Sequence, residues 1–233
     1  DMSIEKALKF VDELKLNDDY RAQMFRYTNS FKEARFLRAY FYFNLVRAYG
    51  DVPYFTEMVT TDQVNSLTRT PAQEIFNAII AECDKLSTEL PADYTKLGLD
   101  GIAPAENGRV TCYAALALKA RAALYAASPL FNPENNKDLW RRAAEANKEV
   151  IETCTANGFK LSKYSELWGP NNWSNNEMIF VRRYNGNIST LEEYNFPMGV
   201  PGGNSGNCPT QNMVDAYEMK ATGKMWNETG SGY

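Results

Sequence analysis

The chain has 233 residues, 44% of them hydrophobic, and sets 25 basic residues against 29 acidic ones for a formal net charge of −4. That length can bury a substantial core in one or two domains. The interspersed charge, without a basic stripe, excludes the clustered Lys and Arg that a phosphate backbone requires, so no nucleic-acid partner is expected.

Histidine is absent, which removes a Ser-His-Asp triad, a Cys-His dyad and any His-ligated metal. Cys83, Cys112, Cys154 and Cys208 are widely spaced, with no Cys-x-x-Cys pair, so no zinc ribbon, redox motif or other cofactor site is expected. Three of the four fall in helical patterns and read as buried thiols. No apolar run reaches the ~18 residues of a membrane helix. Carboxylate neighbours such as Asp18 with Asp19, or Glu192 with Glu193, read as solvated charge, because adjacent side chains do not converge on one ligand. The chain is therefore expected to be a binding protein and not an enzyme.

In chain order, Ile4, Ala7, Leu8, Val11 and Leu14 predict an amphipathic helix over 3–15 with Ser3 as its cap. Residues 20–29 read as a short lead-in, with Ser30 capping a long helix over 31–49. In that helix Ala34, Leu37, Phe41, Leu45 and Ala48 recur at three- and four-residue steps, and Phe36, Tyr40, Phe43 and Val46 widen the stripe. So apolar a helix is expected to be almost wholly buried, packed on 3–15 and on 110–127. Gly50 suits the left-handed position past its end, Pro53 stops it, and Asp51 stands four residues from Arg47 as a possible partner.

Glu33-Ala34-Arg35-Phe36-Leu37-Arg38-Ala39-Tyr40-Phe41-Tyr42-Phe43-Asn44-Leu45-Val46-Arg47, followed by Tyr49-Gly50-Asp51-Val52-Pro53, closely resembles the signature helix of the SusD/RagB family of Gram-negative surface lipoproteins. The resemblance implies a mainly α fold of tetratricopeptide-like helix pairs. It further implies binding of a glycan or other large nutrient on the extracellular face of the outer membrane, and work with a SusC-like, TonB-dependent transporter barrel.

Residues 54–70 lack a period and read as an extended connection. Thr70-Pro71 opens a helix whose apolar face is Ile75, Phe76, Ile79, Ile80, Cys83, Leu86 and Leu90, and Pro91 closes it. Residues 91–108 read as a long loop. The alanine-dense helix 110–127 sets Ala115, Leu118, Lys119, Ala120 and Leu124 against Ala34, Leu37, Arg38, Ala39 and Phe43 at a shift of 81 residues, a weak repeat that fits stacked helix pairs. Ser128 to Pro133 ends it, and this region again resembles the family. Residues 137–155 supply its partner, with Leu139, Trp140, Ala143, Ala146, Val150 and Cys154 inward.

From Asn157-Gly158 the composition turns to Gly, Asn, Pro and Ser, with one strand-like run over 177–184. The division expected is a helical scaffold over 1–157 and a loop-rich, strand-poor part over 158–233. Pro209 to Met219 begins a short helix that resembles a further SusD/RagB signature. Relative to that family the chain resembles an internal piece, without the lipid-bearing cysteine through which members meet the membrane and without their large C-terminal portion. Apolar side chains around Val214, Tyr217, Met219 and Trp226 are accordingly expected to face solvent.

A sugar site needs aromatic faces for the C–H faces of pyranose rings and planar amides for vicinal hydroxyls. The stretch from Trp168 through Asn171, Asn172, Trp173, Asn175, Asn176, Tyr184, Asn185, Asn187, Tyr194, Asn195 and Phe196 to Asn204, with Trp226 beyond, interleaves both. Trp168, Trp173, Tyr184, Tyr194, Asn195 and Trp226 are the candidate ligand contacts. A different function is open to the same scaffold: a helical-repeat adaptor that holds protein or peptide in a concave groove.

Overall fold

A computed structural model describes residues 6, 9, 12, 13, 18–98, 108–168, 175–181 and 194–233. The chain divides into two compact units, Asp1–Arg182 and Arg183–Tyr233. Among the described residues the first carries four long helices: α1 (Asp18–Tyr49), then, after the single turn α2 (Thr61–Val64), α3 (Ala72–Glu89), α4 (Cys112–Ala127) and α5 (Lys137–Ala156). The second carries a short helix, α6 (Gln211–Asp215). Among the described residues there is no strand, only an isolated antiparallel bridge between Val52 and Thr70.

The helices pack in sequence order, α1 on α3, α3 on α4 and α4 on α5, with a smaller contact of α1 on α4. Phe36, Ala39, Tyr42, Phe43 and Val46 of α1 meet the apolar face of α3, and Phe43 also stands edge-on to Tyr125 of α4 at 5.2 Å. Ala115, Ala122, Ala123, Ala126 and Ala127 are buried on α4, and Ala143 and Ala146 on α5, so small side chains let these helices approach closely. Charged clamps flank the core. Arg35 of α1 reaches Glu82 and Glu89 of α3, both at 2.6 Å. Lys119 of α4 bridges Asp84 of α3 at 2.5 Å and Glu149 of α5 at 2.6 Å.

Several expectations are corrected. Residues 20–29 do not lead into a separate helix: α1 runs unbroken through Ser30, whose hydroxyl bonds back to the Tyr27 carbonyl at 2.7 Å instead of capping. Nor is α1 covered on nearly every side. Phe41 is 59% exposed and Leu45 43%, and Ala34, Leu37 and Ala48 also face outward. Both sets of positions fit helical spacing; the partner helix selects the one containing Phe36, Phe43 and Val46. The 81-residue register fails for the same reason, since it sets exposed Leu37 against buried Leu118 and buried Phe43 against exposed Leu124. The expected helix over 3–15 lies largely outside the described residues.

Asp51 does not pair with Arg47. Its Oδ1 accepts the Ala72 N–H at 2.8 Å, supplying from across the Val52–Thr70 bridge the cap that Pro71 at the N-cap position lacks. The 54–70 connection contains α2, closed by a capping box of Thr60 and Gln63. Trp140 is not inward but exposed, its Nε1 donating to Asn135 Oδ1 at 3.1 Å. Residues 177–181 form no strand, and 182–184 lie outside the described residues. Gly50 adopts φ 71° after α1, the left-handed stop its position predicts. In the second unit Val214, Tyr217 and Trp226 are exposed and Met219 is half-buried.

Candidate functional site

The first unit holds a cleft of about 760 Å³ lined from four stretches of chain: Ala92 to Leu97, Gly108 to Tyr113, Asn157 to Phe159, and Asn175 to Val181. That size lies within the usual range of small-molecule sites. Each stretch is fixed locally. Asp93 caps the 3-10 turn Tyr94–Lys96 by accepting from the Thr95 N–H at 2.8 Å and hydroxyl at 2.6 Å. The Thr95 hydroxyl bond is the main reason the Asp93 carboxyl sits below its ordinary pKa. Thr111 caps α4 and so places Tyr113 in its first turn. Asn157 ends α5, and Gly158, at φ 88°, turns the chain so that Phe159 comes back against Tyr113 with ring centroids 4.9 Å apart. The Asn175 Oδ1 accepts from the Ser162 hydroxyl at 2.6 Å and the Glu177 N–H at 2.9 Å, which pins the 175–181 stretch. Phe180, 40% exposed, stands edge-on to Phe36 at 5.5 Å.

The cleft is thus lined by the partly exposed Phe159 and Phe180, with Tyr113 buried against Phe159, beside the amides Asn157, Asn175 and Asn176. Its charges are already answered within the protein: Lys96 lies 3.3 Å from Asp93, and Arg109 lies 2.6 Å from Glu33. Burial, the main cause, holds the Tyr94 phenol well above its ordinary pKa, so it stays protonated. Among the described residues no His, Cys, Asp and Glu cluster could hold a metal ion, and no helix is long and apolar enough to cross a membrane.

None of the six candidate contacts is among the described residues that line the cleft: Trp173 and Tyr184 and the side chain of Trp168 lie outside the described residues, while Asn175 and Asn176, from the same stretch, do line it. Tyr194 and Asn195 are neighbours in the second unit, exposed, and tied to one turn: the Asn207 N–H donates to the Tyr194 carbonyl at 2.8 Å and Asn207 Nδ2 to Asn195 Oδ1 at 3.1 Å. Trp226 belongs to a different turn of that unit, its ring 5.8 Å from Tyr233 and its carbonyl accepting from the Ser231 hydroxyl. Sequence reasoning missed Tyr113, Phe159 and Phe180. Only the Asn157-Gly158 helix stop immediately before Phe159 signalled that this aromatic is presented at a helix end.

Stacked helix pairs carrying a loop-built aromatic and amide cleft define a helical scaffold of the tetratricopeptide-like kind. The family described as "Starch-binding associating with outer membrane" matches residues 2–124 of the 233, more than half of the chain, and the protein belongs to this SusD-like family. Two SusD-like proteins of Formosa agariphila are similar to it, one 25% identical over 149 residues and the other 27% identical over 162, covering 64% and 68% of this chain. The chain spans only 24% and 28% of their lengths. Among solved structures, a SusD-like carbohydrate binding protein of Bacteroides fragilis aligns over 84% of this chain and 34% of its own, with TM-score 0.64 and 27% identity. A second SusD-like protein from that organism aligns over 83% and 36%, with TM-score 0.60 and 27% identity. The mainly α, tetratricopeptide-like fold expected from the signature helix is therefore the fold observed.

Proposed function

We propose that this protein binds a glycan in the cleft of its first unit, at the outer face of the outer membrane and held there by a lipid anchor on the full-length protein, and that it delivers the glycan to a SusC-like, TonB-dependent transporter barrel. It acts by binding alone. The observation that carries the reading is the lining: aromatic rings and planar amides beside charges that are already paired, which suits sugar rings and hydroxyls better than an ionic ligand. Family membership and the solved carbohydrate binding neighbour support it. The helical scaffold over 1–157 carries most of this lining; Trp168 and Trp173 are candidates for further contacts in the first unit, and Tyr184, Tyr194, Asn195 and Trp226 are candidates for ligand contacts of the second unit on its own.

The test is calorimetric titration with maltoheptaose, cellohexaose, xylohexaose and oligogalacturonate. Binding of a neutral member is expected, weakened at least about tenfold by Phe159→Ala, in line with the loss of one stacking aromatic. Unchanged affinity in that variant would move the site to the second unit, where Trp226→Ala is the matching test. A second reading, a helical-repeat adaptor for protein, is favoured by one observation: Tyr27, Phe31, Phe41 and Leu45 lie exposed on one side of α1. Failure of the whole panel to bind would turn the argument to that stripe.

A further inference from the structure

Resting on the reading of the cleft as a glycan site, the geometry points to Glu33 of α1 as the positioning residue that holds two of its walls in register. Glu33 is absent from the described lining, but its carboxylate, 13% exposed, holds two residues that belong to it. Oε2 accepts from Arg109 at 2.6 Å. Oε1 accepts from Asn29 Nδ2 at 3.1 Å and from the Tyr94 hydroxyl at 3.1 Å. That hydroxyl also accepts from Asn29 Nδ2 at 2.9 Å and lies 2.8 Å from the Val110 carbonyl, so its single proton serves two acceptors.

The consequence lies in what is being joined. Tyr94 sits in the 3-10 turn of the 92–97 wall and Arg109 on the 108–113 wall just before α4, the two linked by the Cys112 N–H to Pro91 carbonyl bond. Asn29 and Glu33 are four residues apart on one face of a helix whose next turn, at Phe36, enters the core. A carboxylate fixed to that rigid element and shielded from solvent makes charge-assisted bonds to both walls at once. A site held in its bound shape before the ligand arrives spends less binding free energy on ordering loops. The signature helix thus acts on the cleft without touching the ligand.

The test compares the full chain with Glu33→Gln and with Glu33→Gln/Arg109→Gln, using the same four-oligosaccharide panel and amide hydrogen exchange. Glu33→Gln removes the carboxylate that Arg109 and Tyr94 share. It is expected to raise Kd about tenfold or more, the change that 1.4 kcal/mol represents, with the stoichiometry of binding unchanged. Exchange should quicken over 94–97 and 108–111. The double variant, in which an amide pair replaces the ion pair, should recover part of the affinity. A purely structural role would lower the binding-competent fraction, and hence the stoichiometry, at unchanged Kd, and that result overturns the proposal. So does wild-type exchange at both walls in Glu33→Gln. If the wild-type chain binds no panel member, the glycan reading falls, and the exchange measurement alone decides whether Glu33 holds the walls.

Discussion

Phe41 and Phe43 differ by one intervening residue and by nearly everything in their surroundings, and replacing each with alanine measures which stripe of α1 carries the fold. Phe43 is 1% exposed, stands 5.2 Å from the Tyr125 ring and 6.5 Å from Phe76, and lies under the guanidinium groups of Arg47 and Arg121, each 5.9 Å from its centroid. Its removal forfeits the transfer free energy of a buried aromatic, about 2–3 kcal/mol, and leaves a cavity between α1, α3 and α4 that rigid neighbours only partly fill, so Phe43→Ala is expected to cost about 3–5 kcal/mol. Phe41 is 59% exposed. Less than half of its transfer term is at stake, and water fills the space it leaves, so Phe41→Ala is expected to cost about 1 kcal/mol or less. Urea unfolding monitored by circular dichroism gives both values as midpoint shifts at constant slope. Equal losses, or a greater loss for Phe41→Ala, would refute this assignment of the core face.

The helices were legible because hydrophobic spacing, caps and stops are local. Gly50 after Tyr49 and Pro91 after Leu90 mark ends that the backbone adopts. What spacing does not contain is the identity of the partner. In α1 the positions 36, 39, 43 and 46 and the positions 34, 37, 41, 45 and 48 both recur at helical steps, and only the presence of α3 on one side decides between them. Asp51 illustrates the same limit for polar groups, because the N–H it satisfies lies 21 residues away, across a bridge that no local pattern announces. For the cleft, composition pointed to aromatics and amides of the later loops; Asn175 and Asn176 of that stretch line it, although neither was among the six candidate contacts. Tyr113 and Phe159, separated by 46 residues, meet only because α4 and α5 run side by side and Gly158 turns the chain back. Such a site is a product of packing, which a linear pattern does not encode.

Asp51→Ala is expected to cost about 1 kcal/mol in a thermal or urea melt, the usual loss on removing a cap, with Asp51→Asn retaining most of it; no loss would mean that water replaces this cap without penalty. Burial, with Glu82 and Asp84 adding to it, pushes the Cys83 thiol from 9.0 up to about 12. Because the folded chain then holds a proton that the unfolded chain releases, this group's contribution is fully present below pH 9 and is lost as pH rises through about 12, at about 1.4 kcal/mol per pH unit; Cys83→Ala should remove that part of the alkaline slope, and an identical slope in both proteins would contradict it. The fullest test of the helical stack is Lys119. Burial alone would lower the pKa of its ammonium, but the Asp84 and Glu149 pairs outweigh burial and raise it, so the clamp's contribution is present below the unfolded value of 10.5 and is lost as pH rises through the folded one. The lysine side chain is 15% exposed while its partners are 52% and 46% exposed, which places the clamp at the edge of the stack and limits each pair to about 1 kcal/mol or less. Lys119→Met keeps the apolar stem and removes only the charge, so its cost reports the ion pairs and not the packing. In a double-mutant cycle with Asp84→Asn and Glu149→Gln the coupling should be positive for both partners, because one ammonium ties α3 and α5 to α4. It should shrink in about 1 M salt, because both carboxylates are about half exposed and solvent-exposed ion pairs weaken as salt rises. Coupling to one carboxylate alone, or coupling indifferent to salt, would show that Lys119 does not bridge the three helices in solution.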